Sequence, residues 1–409
     1  MIHARIALLF AVVLTTGYAM APAQVAWDSS NVGAVVTLSD IVMPSVSCGY
    51  VVGDNGTIAK STNGGLTWAL QASSTTFSLV TVAFTDTLHG CAGGTNVLRY
   101  TTDGGTSWLT PQTSPPLGAK SIAFGRPDVG VAVGTGGQIL RTTDGGVNWT
   151  MVVSVVSQSL FGVAYADSLN AVAVGNNRIY RSTDGGQSWL HAWSPAAVLW
   201  DVTAASANVI VAVGLKSGRG VVFRSTDRGV QWDSVMAVSS TDLKAVSFFS
   251  ADSGFAVSSS GGIFRTVDGG SSWDSLTVLP AGAGVTSIAV SSPHIGMISG
   301  ARGMVYYTSK GFVGVSEAPR LPDQPALYQN FPNPFNPSTT IRYALTKSTS
   351  VTLAVFNTLG QEIAVLVHGE EQPGYHEARF DASALSSGVY LYRLKAGNFI
   401  QSRKLLLLR

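Results

Sequence analysis

The string RSTDGGQSW, residues 181–189, recurs with small changes five more times along the chain. KSTNGGLTW ends at Trp68, YTTDGGTSW at Trp108, RTTDGGVNW at Trp149, RSTDRGVQW at Trp232 and RTVDGGSSW at Trp273, while the quoted string ends at Trp189. Successive Trp residues stand 40, 41, 40, 43 and 41 positions apart. A protein seldom needs the same active site so many times, so a phrase repeated this often belongs to a repeated supersecondary unit. A period near 40 residues is the length of one four-stranded propeller blade.

The text inside each period agrees. In SIAFGRPDVGVAVGTGGQILRTTDGGVNWTMVV, residues 121–153, strands a, b, c and d are expected at 121–124, 130–133, 138–142 and 148–153. Turn residues separate them: Pro127-Asp128, the stretch from Gly134 to Gly137, and Asp144-Gly145-Gly146. Only 12% of the chain is charged and 45 residues are Gly, which suits short strands and tight turns better than helices. A seventh unit, SIAVSSPHIGMISGARGMVYYTSKGF, supplies strands a to c, but TSKGF stands where the box should be and no Trp follows. The missing strand has a candidate at the other end of the chain. VAWDSS (25–30) matches QWDSV (231–235) and SWDSL (272–276), the starts of other d strands. The N-terminus would then close the ring and remove two raw sheet edges. The expected fold is all-β: a seven-bladed β-propeller over residues 24–315, followed by a small Ig-like β-sandwich.

The repeated string has its own physics. Its Asp can accept hydrogen bonds from the turn's N–H groups, its second Gly permits a positive φ, and its Trp buries a large apolar area while spending one donor at the rim. Asp103, Asp144, Asp184, Asp227 and Asp268 are accordingly read as structural, together with Trp68, Trp108, Trp149, Trp189, Trp232 and Trp273. Asn63 replaces Asp in the first box, and Arg228 falls at what reads as a variable position. The pattern resembles the Asp box, or BNR repeat, of sialidase and sortilin-like propellers. Over roughly residues 35–312 the whole unit is similar to the propellers of the photosystem II assembly and stability factor family. That resemblance implies a seven-bladed fold that binds and does not catalyse. A cation also recurs three positions before the box Asp: Arg141, Arg181, Arg224 and Arg265, with Lys60 and Tyr100 as variants. It reads as a solvated edge charge, the alternative being a basic patch that docks a partner.

Both ends of the chain carry addresses. MIHARIALLFAVVLTTGYAMAPAQ has a basic start, a short apolar run and Ala21-Pro22-Ala23, which reads as a signal peptide over 1–23. No later segment is long and apolar enough to span a bilayer, so no transmembrane segment is expected in the mature chain. After Ser316 the composition shifts: EAPRLPDQP is read as a linker at 316–326. Alternating apolar residues such as Val351, Leu353 and Val355 then indicate a small β-sandwich of six or seven strands over residues 327–409. This segment carries the series from Asn330 to Pro337 (NFPNPFNP), Gly360-Gln361-Glu362 and Ser387-Gly388-Val389-Tyr390, then a basic-apolar end. It is similar to the type A C-terminal sorting domain of the type IX, or Por, secretion system. The resemblance implies handling by the type IX machinery and a secreted or surface-attached protein that passes through the periplasm.

Candidate chemistry is sparse. Net charge is +2, which gives no pull toward nucleic acid. Two cysteines, Cys48 and Cys91, make neither a disulfide framework nor a zinc site, and no metal or cofactor is expected. They are read as free buried thiols, the alternative being a disulfide. All five Glu residues lie outside the propeller, which argues against sialidase chemistry. Of the Asp residues outside recurring turns and strands, Asp40 is expected too far across the ring from the others. Asp201 and Asp242, on adjacent blades, are the one pair an Asp-based glycoside hydrolase could use, and that hydrolase is the alternative function. No catalytic residue is assigned. The residues that break the repeat gather on loops opposite the boxes: Trp193, Trp200 and Asp201, Lys216 and Arg219 of the same blade, with Phe161 and Asp242 on neighbouring loops. Aromatics beside charge suit a glycan or a protein ligand. Trp200 could equally pack on top of the core. The expectation is a monomeric, exported binding or scaffold module.

Overall fold

The computed structural model describes residues 27–308 and 325–407, apart from 113–114, 117, 153–157, 239–240, 294, 331–332, 334, 336 and 384. The expected signal peptide, the TSKGF segment after Thr308 and nearly all of the expected linker lie outside the described residues. The chain divides into two compact units, residues 1–314 and 315–409.

The first unit is seven antiparallel sheets. Their innermost strands are Leu38–Val42, Leu79–Phe84, Ala119–Phe124, Leu160–Tyr165, Val198–Ala204, Leu243–Phe248 and Ser287–Val290. Each contacts the next, and the seventh contacts the first, so they enclose an axis. Blades 1, 4, 5 and 6 each have four strands in chain order. In blade 2, among the described residues, strand d is a single bridge between Tyr100 and Leu109. In blade 3, strand d among the described residues is Thr150–Met151, starting two residues later than expected, because the N–H and Nδ2 of Asn148 both donate to Asp144 and hold that residue in the turn.

Blade 7 is assembled from both ends of the unit. Its strand d is Asp28–Asn31, which pairs antiparallel with Met304–Thr308, Asp28 opposite Tyr307. The hydrophobic core is not one mass but seven wedges, each between two neighbouring blades. The six box Trp residues pack one to a wedge, and Trp27 packs in the wedge between blades 6 and 7. The N-terminal segment thus supplies the strand and the seventh Trp.

The box turns are built alike. In blade 4 the Ser182 hydroxyl donates to Asp184 Oδ1 (2.8 Å) and accepts from the Gly186 N–H (2.9 Å). Asp184 Oδ1 also accepts from the Ser188 N–H (2.9 Å), and Trp189 Nε1 donates to the Gly186 carbonyl (3.2 Å). Asn63 does the same work in blade 1, its Oδ1 accepting from Ser61 and Thr67. The Ser107 hydroxyl and N–H hold the Asp103 carboxyl down at about 2. The first Gly of each box has a positive φ, and Arg228, standing in that place, has φ 62°. The position is therefore left-handed in every box and not freely variable, at a cost of about 1–2 kcal/mol for a side chain.

Three of the strand-c cations are more than solvated edge charges. Lys60 Nζ donates to the Gly104 carbonyl (2.8 Å), Arg141 Nε to Gly185 (2.8 Å) and Arg224 Nε to Gly269 (2.7 Å). Each reaches the box turn of the next blade and stitches two blades together. A charged donor serves because that carbonyl has no strand partner.

The second unit has two sheets over one core. One holds Ala326–Leu327, Ser338–Leu345 and Gly374–Asp381; the other holds Glu362–Glu371, Thr349–Phe356, Gly388–Ala396 and Phe399–Leu407, in that spatial order. Ile341, Tyr343 and Phe380 from the first meet Leu353, Val355, Tyr392 and Leu405 from the second. The Asn/Pro-rich motif covers the edge of the last strand. Asn333 Oδ1 accepts from the Leu406 N–H (2.8 Å), the Phe335 N–H donates to the Leu406 carbonyl (3.0 Å), and Gln329 Nε2 donates to the Lys404 carbonyl (2.6 Å). An edge strand left bare would template pairing with another chain.

Two outcomes follow from this packing. Deleting residues 27–31 removes the closing strand and the seventh Trp, and differential scanning calorimetry should show a marked drop in melting temperature; unchanged melting would contradict closure. Trp189→Ala should cost about 3–5 kcal/mol in chemical denaturation, as for other large-to-small core changes.

Candidate binding site at the axial mouth

In six of the seven blades, strand a carries a β-bulge at one and the same register position. The bulged residues are Ser39, Val80, Lys120, Phe161, Trp200 and Lys244, all half-buried. In five of these six blades a strand b glycine is paired beside the bulge: Gly53, Gly94, Gly134, Gly175 and Gly214. A Cβ on Gly175 would stand 2.1 Å from the Ser159 carbonyl oxygen, and one on Gly214 would stand 2.0 Å from that of Val198. Blade 6 bulges with Ser258 in that place, so the glycine accommodates the bent strand a closely without being required for the bulge. The bulges lie at the end of the ring away from the box turns.

Three successive bulge residues form a contiguous array. The rings of Phe161 and Trp200 lie 5.1 Å apart, tilted by 43°. Lys244 Nζ sits 4.6 Å above the Trp200 ring and 2.6 Å from Asp242 Oδ2. The Asp242 carboxyl is lowered from its usual range: burial works against ionisation, but hydrogen bonds from Lys244 and Ser259 and the Lys244 charge outweigh it. Trp200 Nε1 is buried and has no hydrogen-bond partner among the described residues. Beside the array, Leu215 and Gly218 of blade 5 and Thr241, Asp242, Ser259 and Ser260 of blade 6 line an open depression of about 440 Å³.

One residue along from four of the six bulges, side chains fasten neighbouring blades. Thr81 accepts from the Ile122 N–H (3.1 Å) and Ser121 from that of Val163 (3.2 Å). Asp40 accepts from the N–H groups of Ile41 (2.8 Å) and Val82 (2.9 Å) and from the Ser287 hydroxyl (2.8 Å). Asp201 accepts from the N–H groups of Val202 (2.8 Å) and Val246 (2.9 Å). Burial pushes the Asp40 carboxyl up to about 6, with the hydrogen bonds pulling against it. Asp201 rises to about 7, chiefly by burial and further by the charge of Asp40.

The sequence-selected residues separate into groups. Phe161, Trp200 and Asp242 come together. Asp201 lies in the seam, its two oxygens accepting from backbone donors, while Asp242 is engaged by Lys244 and Ser259. Trp193 packs edge-on against Phe223 (5.1 Å), with Lys216 Nζ 5.9 Å from that same Phe223 ring. Arg219 faces Lys216 across an exposed hairpin tip whose turn residues, Ser217 and Gly218, have φ 51° and 77°. Lys244 was not singled out from sequence, although aligning the units on Trp200 would have found it. Cys48 and Cys91 are both buried and unbonded to each other. A larger groove of about 750 Å³ lies between blades 1 and 2, past Gln71, Phe77 and Arg99. Its guanidinium is already committed to the carbonyls of Ser73, Ser74 and Leu98, so the axial mouth holds the better-equipped set of groups.

Comparison with known proteins agrees with both units. Residues 19–154 match the family model described as photosynthesis system II assembly factor YCF48, and residues 329–408 match that of the secretion system C-terminal sorting domain. A solved structure of YCF48 bound to D1 peptide is 20% identical and covers 69% of this chain and 96% of that one, with a TM-score of 0.57. YCF48 from Cyanidioschyzon merolae is 21% identical, with coverages of 69% and 98% and a TM-score of 0.57. The RRP9 WD40 repeats reach a TM-score of 0.58 at 12% identity, with coverages of 69% and 97%. At these identities the likeness is one of fold. No curated protein matches the chain. The chain thus joins a propeller that resembles YCF48 to a C-terminal sorting domain of the Por type.

The buried carboxyls set a pH dependence. Asp40 and Asp201 have folded-state values of about 6 and about 7, above the ordinary 3.8. The folded chain therefore binds their protons more tightly than the unfolded chain, and stability falls as pH rises from about 4 to about 7. Asp201→Asn removes its share, so the loss of melting temperature between pH 5 and pH 8 should be smaller than in the parent protein. Equal losses would show that Asp201 is not the group responsible.

Proposed function

We propose that this chain is an exported binding module: a propeller that holds a glycan or protein ligand at its axial mouth, carried out of the cell by its C-terminal unit. The sorting domain indicates secretion by the type IX system, to the cell surface or the extracellular space. In this reading residues 1–23 are a leader removed in the periplasm, 24–315 the propeller, 316–326 a linker and 327–409 the address. The observation that carries the binding role is the bulge array, where residues that depart from an otherwise regular repeat place two aromatics and an ion pair side by side. A solved YCF48 structure is bound to D1 peptide, so a propeller of similar repeats can hold a polypeptide. Binding is favoured over hydrolysis because both Asp201 oxygens are engaged by backbone N–H groups.

The division of labour is testable in the native host. A chain ending at Gly314 should accumulate in the periplasm, while residues 315–409 fused behind a signal peptide and a reporter should bring the reporter to the surface or medium. Normal export of the truncated chain would refute the sorting role.

A further inference from the structure

The axial mouth has a chemistry narrower than binding in general. Lys244 and Asp242 neutralise each other at 2.6 Å, so the array offers no net charge to a ligand. A charged group entering there would have to break that pair and pay for desolvating both ions. What the site presents instead is a mixed set of hydrogen-bonding groups. Ionised Asp242 only accepts, Lys244 only donates, and the hydroxyls of Thr241, Ser259 and Ser260 do either. Ser259 already donates to Asp242 Oδ1, and Ser260 to Thr241. Next to these stand the rings of Phe161 and Trp200. Aromatic faces carry negative quadrupole charge, so they attract weakly positive C–H bonds.

Taking the binding role above as its basis, we propose that the array of Phe161, Trp200, Lys244 and Asp242 is a subsite for a ring of a neutral oligosaccharide. A sugar ring matches every part of it. Its C–H face meets the aromatics, and its hydroxyls exchange donors and acceptors with Asp242, Lys244 and the serines. The depression of about 440 Å³ is at the lower end of ordinary ligand pockets, which suits one or two sugar rings and not a long peptide.

The test uses the full mature chain and isothermal titration calorimetry with cellohexaose, maltohexaose, laminarihexaose and mannohexaose, a hexagalacturonate as the charged counterpart, and a peptide library as a separate arm. The expected result is binding of at least one neutral hexaose with Kd of roughly 1 mM or tighter, and weaker binding of the uronate. Trp200→Ala and Asp242→Asn should each weaken that binding about tenfold or more, and Trp200→Phe by less than Trp200→Ala. Leu190→Ala, on an exposed outer strand, should not change it. Melting curves of each variant show whether a loss comes from unfolding. If no neutral hexaose binds, or if the uronate binds tighter, the saccharide assignment is overturned. Peptide capture that is lost in Trp200→Ala would overturn it while leaving the axial mouth as the binding site. Saccharide or peptide binding that survives Trp200→Ala intact would overturn both readings.

Discussion

A ring of sheets has no end to cap, so everything else in the propeller depends on how its last seam is joined. Here the join is a strand pairing between Asp28–Asn31 and Met304–Thr308, residues nearly the whole unit apart. It is reinforced on both sides. Ser30 accepts from Trp68 Nε1 (3.0 Å) and donates to the Gly65 carbonyl (2.7 Å), linking the closing strand to the box of blade 1. Near the axis, Ser287 donates to Asp40, and Thr286 donates to the Leu38 carbonyl (2.7 Å). The entropic cost of bringing such distant residues together grows only slowly with loop length. A short strand, a Trp and a few hydrogen bonds are therefore enough to hold the ends.

The same economy governs the other seams, and its exceptions are informative. Cations on strand c and side chains beside the bulges tie blade to blade. Between blades 4 and 5 both devices lapse. Gly162 has no side chain to offer where Asp40, Thr81 and Ser121 serve elsewhere, and Val202 donates to its own blade's Asp201. Arg181 Nε is buried without a partner, beside the one box in which Arg228 replaces Gly. At the mouth this seam is crossed by the Phe161–Trp200 pair and by Asn177, whose N–H donates to the Ala197 carbonyl (2.9 Å) and whose Oδ1 accepts from the Ala196 N–H (2.7 Å). Local rules are broken where the mouth acquires its distinctive chemistry, a common place for regularity to yield.

The period, the box turns and the closing strand were legible because each is written in adjacent residues. Trp27 followed by Asp28 and Ser29 repeats the start of other d strands, and it occupies the place that match implies. The bulges were not legible, since a bulge is a property of two paired strands and shows only when the register shifts, as between Leu199 and Asp201. Lys244 escaped notice for that reason. The role of Arg141 and Arg224 was hidden differently: their acceptors are carbonyls in the next blade, 44 and 45 residues ahead.

Ring closure by the N-terminal strand is the claim on which this account rests, and amide hydrogen exchange tests it directly. If residues 28–31 are the fourth strand of the last blade, their bonded amides should exchange only on global unfolding. Their opening free energy should then equal that of the buried strand Gly49–Gly53. Exchange of 28–31 through local fraying, at a far lower free energy than Gly49–Gly53, would mean that the ring stands without them and would contradict the account.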